Sequence, residues 1–113
     1  MVWHDRIYFN KDIKNKRKII KNIKNNKLQF SAFVITLPVG NDGILELYPS
    51  YVLLQPAYKN LDLYIVGIAD SRKKALNLMS SIILECYKKT NSFNVSEYIK
   101  NGVAKWYIYC LQL

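Results

Sequence analysis

Side chains able to do covalent or metal chemistry are few in this chain and stand far apart. The single histidine, His4, lies beside Asp5 near the amino terminus, a position typical of a surface residue rather than of the base in a nucleophilic triad. Cys86 and Cys110 lack a CxxC spacing, which excludes ordinary zinc-ligand patterns. A disulfide between them is one reading; two small buried apolar side chains is the one a reducing compartment favours. The eight carboxylates, Asp5, Asp12, Asp42, Glu46, Asp62, Asp70, Glu85 and Glu97, are scattered. No pair has the spacing of acid/base partners or of a magnesium site. The chain is therefore read as non-enzymatic, with no metal, cofactor or small-molecule substrate.

The chemistry the sequence does offer is electrostatic. From Lys11 to Lys27 there are eight cations and one acid, Asp12, a net of +7 out of +9 for the whole chain. At about 100° per residue, Ile13, Ile19, Ile20 and Ile23 fall in one sector roughly 120° wide. Lys11, Lys14, Arg17, Lys18, Lys21 and Lys24 fall largely opposite. Lys16 and Lys27 sit at the edge of the apolar sector, where their methylene stems would cover core side chains. The six cations opposite the apolar sector have no acid four residues away to neutralise them. A phosphate backbone would do so by releasing condensed counterions. Lysine outnumbers arginine seven to one in this segment, and an ammonium lacks the planar fork that reads base edges, so weak sequence selectivity is expected. The competing reading is compositional. A chain rich in Lys, Asn and Ile is what a genome of biased base composition produces, and the cations are then only a solvated face.

Arg72, Lys73 and Lys74 form a second basic cluster after the sequence VGIAD. They fall at the start of a predicted helix, where the dipole makes cations unfavourable and where a phosphate or carboxylate would be held. On the last predicted strand, Tyr107 and Tyr109 share a face with Lys105, an arrangement suited to stacking bases or to a protein partner, or to packing under the loop around Tyr51 to Tyr58. The stretch RIYF resembles the first-strand motif of RNA-recognition domains, whereas LYIVGIA lacks the aromatic-and-glycine pattern of their third strand, so the resemblance implies nothing further.

A chain of 113 residues, half of them hydrophobic, fits one domain, 1–113, with one core. Residues 6–9, opened by Val2 and Trp3, read as a strand ending at Asn10, a helix N-cap, with a helix over 11–26. QFSAFVITLP reads as a strand stopped by Pro38, and ILELY as its hairpin partner across Asn41, Asp42 and Gly43. Two prolines make 49–61 a loop with one helical turn. LYIVGIA reads as a central strand. A helix capped by Asp70 or Ser71 follows, its apolar stripe running from Ala75 to Cys86. Asn94 and Glu97 form a capping box for a short helix over 95–101 ended by Gly102, and the chain closes on a strand at 105–113.

This order predicts an α+β, two-layer domain: a mostly antiparallel sheet of 4–5 strands with both main helices on one face. Omitting ILELY leaves the ferredoxin-like βαββαβ. No secretion signal is visible and no apolar run approaches the roughly 20 residues that span a bilayer, so a cytoplasmic protein without membrane contact is expected. Two functions are open. One is a small basic protein binding nucleic acid or a nucleoprotein complex through its first helix, as a regulator or inhibitor of the kind mobile elements encode. The other is a protein-interaction module or homodimer whose charge is incidental.

Overall fold

The computed structural model describes residues 1–39, 43–59 and 61–100, and in it the β-branched and aromatic runs pair into one sheet. Its strands are β1 (Val2–Phe9), β2 (Phe33–Thr36), β3 (Glu46–Pro49) and β4 (Tyr64–Ala69), ordered β1-β4-β2-β3. Helix α1 (Lys16–Lys24) follows β1. A 3₁₀ turn (Ser50–Leu54) and the short α2 (Pro56–Lys59) follow β3, and α3 (Arg72–Thr90) follows β4. Residues 95–100 form α4. The result is an α+β domain with a four-stranded mixed sheet and four helices among the described residues.

Two expectations need correction. The sheet is mixed rather than mostly antiparallel: β2 pairs antiparallel with β3 and with β4, but β1 runs parallel to β4. Nor do the main helices share a face. Val34 and Ile35, adjacent on β2 and so pointing to opposite sides, belong to two separate cores. Val34 packs with Ile19 and Ile23 of α1, Leu53 of the 3₁₀ turn, and Ile65 and Ile68 of β4. Ile35 packs with Val66, with Ile82 and Cys86 of α3, and with Val95 and Ile99 of α4. The central strand is apolar on both sides because helices cover both, and the fold has three layers. The closing strand of a βαββαβ order would come from 105–113, which lies outside the described residues.

A bulge in β4 makes this arrangement possible. The β2–β4 register slips between the pairs Ile35–Gly67 and Thr36–Ile65, so Val66 and Gly67 both lie on the α3 side. A Cβ on Gly67 would sit 3.3 Å from the Ile35 Cδ1 and 3.4 Å from the Tyr8 carbonyl oxygen, which is why the crowded bulge position carries no side chain. Below it, the Glu85 carboxylate on α3 accepts hydrogen bonds from the hydroxyls of Tyr8 and Tyr98. Burial first, and this carboxylate second, push both phenols far above their ordinary range.

Candidate nucleic-acid interface

The carboxyl ends of parallel strands β1 and β4 meet at one edge of the sheet, and Asn10 and Asp70 are the residues that leave them. Asn10 is buried, with 8 % of its surface exposed. Its amide donates to Asp12 Oδ1 (2.9 Å) and Asp70 Oδ1 (3.1 Å), and its carbonyl oxygen accepts from the Asp70 backbone N–H (3.2 Å). Asn10 is thus a cross-strand tie and not the expected helix cap. Residues 10–13 form a turn closed by the bond from the Ile13 N–H to the Asn10 carbonyl (3.1 Å). The helix starts only at Lys16, after Asn15 in the left-handed conformation (φ 56°). Lys11 and Lys14, expected within a helix over 11–26, therefore lie on a loop ahead of it.

Within α1 the amphipathic division holds. Ile19 and Ile23 are buried and Ile20 half-buried, while Arg17, Lys18, Lys21 and Lys24 are exposed, fanned over about 120° of the helix circumference. Lys11, Lys14, Lys16 and Lys27 are exposed as well. Two ammonium groups lie over aromatic rings of β1: Lys16 over Phe9 at 5.2 Å and Lys24 over Trp3 at 5.1 Å. Lys16 behaves as a packing residue, as expected, and Lys24 partly joins it. The helix closes on a Schellman motif with Asn26 left-handed (φ 55°): Lys27 N–H to Asn22 O at 2.8 Å and Asn26 N–H to Ile23 O at 3.1 Å.

Among the described residues, no carboxylate forms an ion pair with any of these eight cations. The one acid of the segment, Asp12, is held instead by Lys74 of α3, at 2.7 Å. That hydrogen bond, with the Asn10 amide second, holds the Asp12 carboxyl at about 2. Lys74 also lies 3.6 Å from Asp70. It is therefore a partner of two carboxylates, which accounts for a cation in the first turn of α3. Ser71 caps that helix, its Oγ accepting the Lys74 N–H at 3.2 Å. Arg72 and Lys73 remain exposed.

The Asp12–Lys74 bridge has a second effect. It sets the start of α3 beside the 11–15 loop, so two basic clusters far apart in sequence, one opening at Lys11 and the other at Arg72, occupy one rim. Between the end of β1 and the start of α1 the rim carries an open cleft of 690 Å³, lined by Phe9 and Ile13, by Asn10 and Asn15, and by Lys11, Lys16, Arg17 and Lys18. No side chain caps the α1 amino terminus and its first turn holds no acid. Free amides, four cations and an apolar floor make this cleft suited to an oxyanion such as a phosphate.

Farther along the same edge lie Phe30 and Tyr51, which no sequence pattern singles out as a pair. Phe30 falls in the run QFSAFVITLP, expected as a strand, but β2 starts only at Phe33. Tyr107 and Tyr109 lie outside the described residues. Of the remaining chemistry, Cys86 is buried, its thiol donating to the Ser92 carbonyl at 3.3 Å, and His4 Nδ1 lies 3.1 Å from the Tyr64 hydroxyl. Burial lowers the His4 pKa. Among the described residues no helix is long and apolar enough to cross a membrane. Compared with protein-family models, with curated proteins and with solved structures, the chain matches none.

Proposed function

We propose that this protein binds nucleic acid, alone or within a nucleoprotein complex, by laying a phosphate backbone across the rim formed by Lys11, Lys14, Arg17, Lys18 and Lys21, with Arg72 and Lys73 at its margin. One observation carries the reading: the cations of this segment are all exposed and without a carboxylate partner among the described residues, and the segment's single acid is neutralised from another helix. A face left merely by composition has no reason to withdraw its own acid. Lysine predominates, so binding is governed by charge and responds weakly to base sequence.

Titration of labelled DNA and RNA at two salt concentrations tests this. Affinity should fall steeply with added salt. Replacing Lys14, Arg17, Lys18 and Lys21 with Gln should flatten the log–log slope by about 0.7–0.9 for each phosphate left without a cation. Absence of binding even at low salt rejects the reading. A second reading, a protein-interaction module or homodimer, is favoured by the outer side of α3, where Leu76, Leu84 and Tyr87 are exposed and Phe93 stacks on Tyr87 at 4.7 Å. A strictly monomeric mass in solution leaves the homodimer without support.

A further inference from the structure

We infer that the nucleic acid bound is single-stranded, with a base stacked on the ring pair Phe30 and Tyr51; the inference rests on the phosphate-binding reading above. Apolar side chains scattered singly on a surface require no explanation. Here, however, two rings are set together, Phe30 with 74 % of its surface exposed and Tyr51 with 41 %. Their centroids are 5.9 Å apart at an interplanar angle of 47°. In this tilted arrangement neither ring covers the other's face, and ring faces stay open to a third planar group.

The pair is fixed to the basic helix. Gln29, directly before Phe30, donates from its amide to the Ile19 carbonyl of α1 at 3.3 Å and accepts from the Asn22 amide at 3.3 Å. Its own carbonyl accepts the hydroxyl of Ser50, the residue before Tyr51, at 3.2 Å. Ser50 is held in turn by its N–H on the Ala32 carbonyl at 2.9 Å. One residue thus ties the backbone beside both rings to α1 on the side of Asn22, and Lys18 lies one helical turn away on that same side. Strand register places the rings on the edge that carries Asn10 and Asp70, since Phe9 pairs with Ile68, Ala69 with Phe33, and Phe33 with Pro49. From β1 to β3 is three strand spacings, about 14 Å. Cations at one end and along the helix, with open rings at the other, form a track for a short strand whose bases are free. A duplex keeps its base faces inside the stack, where these rings do not reach, while every unpaired base presents one.

The test compares a labelled oligothymidylate and an oligouridylate of about 12 nucleotides, within the usual site-size range, against a duplex of equal length. The intact chain should bind the single strands at least about 10-fold more tightly than the duplex. Replacing Phe30 and Tyr51 together with Ala should remove about 10-fold of single-strand affinity while leaving duplex affinity and the salt slope unchanged. Both rings are on the surface, so the variant should fold. As a second measurement, the added indole of Phe30→Trp should lose emission when oligothymidylate binds. Equal affinities and an unaffected double variant, an unquenched indole with oligomer bound, or an aromatic-dependent dimer with no strand preference each overturn the inference and leave the phosphate reading standing. No binding of either form at low salt removes both.

Discussion

Asp12 shows how one side chain can set the charge of a surface. With Lys74 and the Asn10 amide bound to it, its carboxyl titrates at about 2, against about 3.9 for an aspartate in an unfolded chain. A pKa lowered in the folded state contributes stability that is complete above about pH 4 and is lost as pH falls through about 2. Carbon-detected NMR should therefore find the Asp12 midpoint near 2, and Lys74→Gln should return it toward the ordinary range. Asp12→Asn should act on binding in the opposite sense to a cation loss. It makes the rim one unit more positive and leaves Lys74 with Asp70 alone, so affinity for oligonucleotide at low salt should rise, as read by fluorescence anisotropy. None of this is legible in the sequence, because the partners of Asp12 and Asn10 are some 60 residues distant. The same distance explains the late start of α1: an asparagine at a plausible cap position is drawn across to β4 instead.

Helix α1 is built against its own stability. Its first turn holds Lys16, Arg17 and Lys18 at the positive end of the helix dipole, with no side-chain cap, and Arg17 faces Lys21 one turn on. Arg17→Glu should therefore stabilise the fold by about 0.5–1 kcal/mol, gaining the dipole and an i,i+4 pair, while weakening nucleic-acid binding. Thermal melting and anisotropy on the same variant would read these opposite effects. Gly67→Val, by contrast, should cost about 1–3 kcal/mol in urea unfolding, since the bulge has no room for the branches. Elements whose pattern is self-contained are legible beforehand: the strands within QFSAFVITLP and LYIVGIA, a cap at Asp70 or Ser71 that falls to Ser71, and Asn94 as a cap, which accepts the Glu97 N–H at 3.2 Å while its own N–H goes to Ser92 Oγ at 3.1 Å, leaving the capping box half formed. What stays hidden is which face each helix covers. Two apolar stripes fit one side of a sheet or both, and the bulge, a backbone event marked in the sequence by Gly67 alone, puts Gly67 beside Val66 on the α3 side and so returns Ile68 to the α1 side with Ile65. Asparagine content is half legible. Every non-glycine residue with positive φ among the described residues is an asparagine, Asn15, Asn26 and Asn91, the residue that best tolerates that conformation after glycine. A composition that reads as background supplies the ends of two helices and the start of one.

Taken whole, a chain of net charge +9 repels itself. Roughly 0.2 M sodium chloride shortens the screening length to below 8 Å. It should raise the melting temperature of the free protein while lowering its affinity for oligonucleotide, a pair of trends measurable by scanning fluorimetry and titration in the same buffers. The distribution of that charge matters beyond its total. Glu46 begins β3, and Asp62 lies two residues ahead of β4, so both stand toward the sheet edge opposite Asn10 and Asp70. The strand direction is consequently an axis of uneven charge: Lys11, Lys14, Arg17, Lys18, Arg72 and Lys73 outnumber Asp12 and Asp70 at the Asn10 end, while Glu46 and Asp62 stand toward the other. A polyanion approaching from any direction would exert a torque on such a body before touching it, turning the ring-bearing pole forward and leaving less of the search to rotational diffusion.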